Sequence, residues 1–103
     1  MIVVRRDIAE AYLRRRATAH HSAAVRRAYE TWLAIAVAAR WRTPIDVTHS
    51  HPKASILRRG RVVFNIKANE CRLVAQINYA AGTLEIRFFG SHAEYDRIDV
   101  EIV

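Results

Sequence analysis

Cysteine is nearly absent from this chain: Cys71 stands alone among 103 residues. One thiol closes no internal disulfide, and its isolation fits a reducing, cytoplasmic setting. Long apolar runs are missing as well. The longest, residues 32–39, is alanine-rich and too short to span a bilayer, so no membrane partner is expected. The opening MIVVRRD lacks the apolar centre of a secretory signal. Glycine occurs three times and forms neither a phosphate-binding loop nor a dinucleotide pattern. No cysteine pairs or acidic spacing accompany His20, His21, His49 and His51, so neither metal nor cofactor is expected. Acidic residues are outnumbered, 10 against 17 Lys and Arg, for a net charge of +7 and a pI near 10.5. Such an excess favours a polyanionic partner: nucleic acid, a ribosomal surface or an acidic protein. The plainer alternative is a basic surface kept for solubility.

What is present is a foldable chain, 51% hydrophobic and long enough for one modest core. We expect a single domain over residues 1–103, mainly helical over 1–52. Residues 53–103 should be mainly a β meander with a C-terminal segment. Ile2, Val3 and Val4 suit a short opening strand. Asp7 and Glu10 have capping-box spacing, and Ile8, Ala11 and Tyr12 recur at helical period. Arg14, Arg15 and Arg16 suit that helix's negative end. Ser22 can cap a second helix, whose Val25, Tyr29, Trp32 and Ala36 form one core-facing stripe. Thr43 followed by Pro44 starts a third, which ends before Pro52.

After Gly60 the period changes to two. In RVVFNIK, Val62, Phe64 and Ile66 alternate with Arg61, Val63, Asn65 and Lys67. In CRLVAQINY, Cys71, Leu73, Ala75, Ile77 and Tyr79 alternate with Arg72, Val74, Gln76 and Asn78. In TLEIRFF, Leu84, Ile86 and Phe88 alternate with Thr83, Glu85, Arg87 and Phe89. Three such runs with short turns predict an antiparallel meander, with Gly60, Gly82 and Gly90 at strand ends. A turn at Ala68 and Asn69 sets Asn65 opposite Arg72, Arg61 opposite Gln76 and Phe64 opposite Leu73. A turn at Ala80 and Ala81 sets Gln76 opposite Glu85, Val74 opposite Arg87 and Leu73 opposite Phe88. The apolar face packs on the helices, leaving a platform of Arg61, Asn65, Lys67, Arg72, Gln76 and Arg87. Arg58 and Arg59, just before the first of these strands, join it as RNA-binding candidates.

Residues 53–87 hold seven Lys or Arg against two Glu. Clustered arginines repel unless an anion lies between them, and guanidinium binds phosphate bidentately. After the third run comes FFGSHAEYDRID (residues 88–99). Imidazole is the side chain whose ordinary titration range spans neutrality, so His92 is the acid–base candidate. Taken singly, it reads equally as a packing or hydrogen-bonding residue. Tyr95 can stack on a base, donate to phosphate or relay a proton. Glu94, Asp96, Asp99 and Glu101 read as surface charges or ion-pair partners of Arg97 and its neighbours. With the cations, His92 and Tyr95 supply what RNA cleavage through the 2′-hydroxyl requires, and DNA lacks that nucleophile. Ser91 beside His92 has no nucleophile elbow around it. The basic end of the first helix shows no helix-turn-helix pattern, so DNA contact is expected only through a complex.

RVVFNIKANECRLVAQINY followed by IRFFGSHAEYDRID resembles the HigB toxin family of the RelE-like toxin–antitoxin ribonucleases. The upstream WRTPIDV and HPKASI segments extend the likeness over essentially the whole chain. The resemblance implies a ribosome-dependent mRNA interferase and a cognate antitoxin, usually a HigA-type helix-turn-helix protein. It also implies an α+β, RelE-like fold, with N-terminal helices on one face of a small antiparallel sheet and RNA met by the other. Carried over residue by residue, Arg61, Asn65, Lys67 and Arg72 match the first two segments. Arg87 matches the arginine of IRF, and His92 and Tyr95 match HAEY. Related toxins generally rely on Arg, Lys and Tyr, which leaves the general base open. Ala68 stands where a Gly is common and Cys71 where a Tyr is common. The expected catalytic set is His92, Tyr95, Arg87, Arg72 and Lys67, with Arg61, Asn65, Arg58, Arg59 and Gln76 binding RNA. A non-catalytic RNA- or ribosome-binding module that blocks translation by occupancy is the alternative.

Overall fold

The computed structural model describes residues 1–16 and 22–103. In chain order the elements are β1 (Ile2–Val4), α1 (Arg6–Arg15), α2 (Ser22–Ala38), α3 (Pro44–Ser50) and β2 (Ser55–Ile56). A 3-10 turn (Arg58–Gly60), β3 (Arg61–Ile66), β4 (Cys71–Asn78), β5 (Thr83–Ser91) and α4 (His92–Tyr95) follow. The fold is α+β, with a five-stranded sheet ordered β1-β5-β4-β3-β2. β1 runs parallel to β5 and every other pairing is antiparallel, so the sheet is mixed.

The helices cover one face. The expected stripe of Val25, Tyr29, Trp32 and Ala36 is buried, and it meets Val62, Phe64, Leu73, Leu84, Ile86 and Phe89 from the strands. Trp32 and Trp41 both pack on Phe64, with ring centroids 5.3 and 6.1 Å away. α3 begins as expected, with Thr43 and Asp46 forming a reciprocal capping box ahead of Pro44. α1 begins differently. Arg5, in the left-handed region at φ 64°, precedes the helix. Asp7 lies inside the first turn and accepts two bonds from the Arg5 guanidinium, both at 3.0 Å. It therefore serves the helix dipole rather than the cap. Ser22 is the first described residue of α2, and the position before it lies outside the described residues.

The first hairpin keeps the expected register: Asn65 opposite Arg72, Phe64 opposite Leu73 and Arg61 opposite Gln76. Its loop is longer than the two residues expected, because the last pair is Ile66 with Cys71. Lys67 and Ala68 in that loop both adopt φ 55°, so Ala68 pays for the missing glycine in backbone strain. The second hairpin starts as expected, with Gln76 opposite Glu85, and then departs from alternation. A bulge lies between Val74 and Ala75: Val74 pairs with Phe88 and Ala75 with Ile86, leaving Arg87 as the extra residue. The expected pairs of Val74 with Arg87 and Leu73 with Phe88 are therefore incorrect. Leu73 meets Phe89 instead, and Phe89 enters the core while Phe88 turns to the other face. β5 runs one residue past Gly90, to Ser91, and Gly90 pairs with Arg72. Gly60 and Gly82 have the positive φ that turns require, but Gly90 is needed for space. A Cβ there would sit 2.7 Å from Cζ of the Phe88 ring.

Candidate RNA-binding site

The sheet face away from the helices is organised by β4, where Arg72, Val74 and Gln76 alternate outward. Val63 and Val74 pair directly across it and are buried outside the main core. Charged and amide side chains surround this small apolar floor, and the bulge decides where one of them goes. Without an extra residue, Ile86 and Phe88 would both fill core positions. With it, Arg87 is extruded to the surface and the chain still returns Phe89 to the core.

At one end of the face, Arg61 and Arg87 hold the same atom. Arg61 Nη1 donates to the main-chain oxygen of Val103 at 2.9 Å, and Arg87 Nε donates to it at 3.1 Å. Arg61 Nη2 also reaches the main-chain oxygen of Glu101 at 3.3 Å. Arg87 Nη1 pairs with Glu85 at 3.0 Å, and Arg58 lies 3.8 Å from the Glu101 carboxylate. Arg58, Arg59, Arg61, Gln76 and Glu101 line a recess of about 360 Å³ here. Gln76 Nε2 donates to the carbonyl of Arg59 and so fixes the turn that delivers these arginines.

Arg72 works at the other end. Its guanidinium lies 6.0 Å from the centre of the Tyr95 ring, and it donates to Cys71 O and Asn69 Oδ1 at 3.3 and 3.4 Å. Phe88, turned outward by the bulge, packs on Tyr95 with centroids 6.5 Å apart. Tyr95 stands where it does because α4 is capped: Ser91 Oγ accepts from Glu94 N, and Ser91 N donates to Glu94 Oε1. Ser91 is thus a capping residue. Glu94 also binds Arg15 at 3.1 Å and Arg16 at 3.8 Å, tying α4 to α1 rather than to Arg97. Burial pushes its carboxyl up, but the Ser91 bonds and the two arginines outweigh that and hold it below its usual range.

His92 is half exposed, and its Nδ1 lies 3.1 Å from Asp96 Oδ2. It borders a second recess, of about 340 Å³, that Tyr12, Arg16 and Glu70 help to line. Lys67 is exposed in the β3–β4 loop rather than on the platform, and Asn65 is half-buried opposite Arg72. The structure therefore gathers Arg58, Arg59, Arg61, Gln76 and Arg87 at one end and joins Arg72 to Tyr95 at the other. His92 lies just before Tyr95 on the same turn.

Other candidates separate from this face. Cys71 is buried, its thiol 3.8 Å from the Tyr12 hydroxyl, and burial pushes that thiol up. The same burial and contact push Tyr12 up to about 12. His51 packs edge-on against Phe64, ring centroids 5.0 Å apart, and burial lowers its imidazole. His20 and His21 lie outside the described residues, and no group of three metal-ligating side chains occurs among those described. No helix among the described residues is long and apolar enough to cross a membrane. Sequence reasoning missed Phe88, Asp96 and the contacts of residues 99–103. Adjacent Phe88 and Phe89 within an alternating run were the available signal for the bulge.

A family model described as HigB_toxin, RelE-like toxic component of a toxin–antitoxin system, matches residues 25–98. No curated protein matches the chain.

Proposed function

The chain belongs to the HigB family of RelE-like toxins and is the toxin of a toxin–antitoxin system with an antitoxin partner; from this we propose that it is a ribosome-dependent mRNA endoribonuclease. The single observation that carries the proposal is the shared oxygen between Arg61 and Arg87. Two guanidinium groups, from the strands β3 and β5 that flank β4, already converge on one acceptor, as they would on a phosphate oxygen.

The chemistry is attack of a ribose 2′-hydroxyl on the adjacent phosphorus. His92 takes the 2′-proton at Nε2, because the Asp96 contact at Nδ1 fixes the tautomer that leaves Nε2 free to accept. Arg87 and Arg72 stabilise the charge that accumulates on the phosphoryl oxygens, which requires bound RNA to draw the two guanidinium groups from opposite ends of the face onto one phosphate. Tyr95, held by Phe88 and the Arg72 cation, assists proton return to the departing 5′-oxygen. The bond to that oxygen breaks, leaving a 2′,3′-cyclic phosphate and a 5′-hydroxyl. Lys67 and Arg61 hold flanking phosphates, with Arg58, Arg59, Asn65 and Gln76 lining the RNA path. We take the antitoxin to be of the HigA helix-turn-helix type, DNA being met only through the complex. The domain is read as residues 1–103, working in the cytoplasm without metal or cofactor.

One observation favours a second reading, inhibition by occupancy alone: the described side-chain partner of His92 is Asp96, not a platform arginine. Mapping 5′ ends on translated messages separates the two. The enzyme generates new 5′-hydroxyl termini that His92→Gln abolishes in a protein that still folds. An occupancy inhibitor arrests translation with no new termini, and His92→Gln leaves the arrest intact.

A further inference from the structure

Residues 99–103 lie across the cations at one end of the platform. Four of the chain's ten acidic residues, Glu94, Asp96, Asp99 and Glu101, fall within its last ten positions, while the face beneath is basic. The segment closes a turn on itself: Ile102 N and Val103 N both donate to Asp99 O, at 3.1 and 3.0 Å, and Glu101 N donates to Asp99 Oδ1 at 3.0 Å. That turn directs two main-chain oxygens at Arg61, one of them shared with Arg87, and the Glu101 carboxylate at Arg58. Each of these acceptors occupies a donor or the charge of a platform arginine.

We propose that residues 99–103 are an autoinhibitory strap, an internal phosphate mimic that RNA must displace to reach Arg58, Arg61 and Arg87. The inference rests on the RNA-binding reading of the platform. The strap is suited to reversible release. Ile102 is 77% exposed, and the ion pair to Arg58 joins two largely exposed side chains. Its hold on Arg61 and Arg87 consists of three hydrogen bonds to main-chain oxygens of Glu101 and Val103, at donors where a bidentate phosphate competes. The RNA-competent population is the fraction with the strap open, and the observed affinity is reduced by that fraction.

The test is binding of a short single-stranded 2′-O-methyl RNA, which the enzyme cannot cut. It compares the full chain, the chain lacking residues 99–103, and Arg61→Ala and Arg87→Ala in each background. Removing the strap tightens binding about tenfold, as expected of a strap closed about nine-tenths of the time. It also steepens the dependence of log affinity on log salt by roughly 2, as three more arginines reach phosphates. Arg61→Ala then costs more in the shortened chain than in the full one. If thermal unfolding shows the shortened chain to be unfolded, the full-length double variant Asp99→Ala, Glu101→Ala replaces it, since it removes the turn's side-chain acceptor and the Arg58 partner. Equal losses from Arg61→Ala in both backgrounds, with no tightening, overturn the strap and leave the RNA platform standing. Arg61→Ala and Arg87→Ala without effect in either background overturn both.

Discussion

Arg87→Ala separates chemistry from folding, because the two costs differ in size. On the structural side the substitution removes the ion pair to Glu85 at 3.0 Å, between side chains 38% and 36% exposed. Pairs so exposed contribute about 0–1 kcal/mol. It also removes one hydrogen bond to Val103 O at 3.1 Å, about 0.5–1.5 kcal/mol. The sum, about 0.5–2.5 kcal/mol, is small against the roughly 5–15 kcal/mol by which such domains are stable. The variant therefore stays folded at 25 °C, with a Tm lowered by roughly 2–20 °C. On the catalytic side, losing one cation that stabilises the phosphoryl transition state costs about 3 kcal/mol, or a hundredfold or more in rate. Arg87→Lys keeps the charge, loses the planar fork and falls between. The assay is single-turnover cleavage of ribosome-bound message, alongside thermal unfolding of the same preparations. An Arg87→Ala protein that is folded and cuts within about threefold of the parent rate, far short of the hundredfold expected, refutes the assignment of this cation.

Three further outcomes test the packing. Gly60→Ala forces a left-handed Ala whose Cβ would lie 2.4 Å from Ile77 O and is expected to cost about 2–4 kcal/mol. Gly82→Ala meets nothing within 4 Å, so it costs only the backbone strain of about 1–2 kcal/mol; equal Tm losses would show that no clash exists at Gly60. Tyr29 is buried and its hydroxyl has no hydrogen-bond partner among the described residues. Tyr29→Phe is therefore expected to leave stability unchanged or raise it by about 1 kcal/mol, and a clear drop in Tm would reveal a partner. Burial holds the His51 imidazole below its ordinary 6.5, so the unfolded chain binds the proton first. Stability is then fully present above pH 6.5 and declines as pH falls toward the lowered folded value. His51→Phe should flatten that part of a Tm–pH profile, and an unchanged slope would assign it to other groups.

The sequence by itself determined the local devices. Thr43, Pro44 and Asp46 encode the start of α3, because a cap involves only residues a few positions apart. Strict alternation in residues 61–66 and 71–78 placed the first hairpin in register, since a one-residue slip would turn its apolar set to solvent. The stripe from Val25 to Ala36 declared a buried helix face by its period alone. The tertiary structure decided everything that depends on partners distant in the chain. The bulge that extrudes Arg87 and exchanges Phe88 with Phe89 forms because Phe89 must meet Tyr12 and Tyr29, 5.2 and 5.5 Å away on α1 and α2. Period-two reading of one strand carries no trace of those rings. Likewise Glu94 chose Arg15 and Arg16 over its own neighbour Arg97, and residues 99–103 came to rest on Arg61 and Arg87. Charge pairing at such separations is set by which elements the core brings alongside one another, and only the assembled fold fixes that.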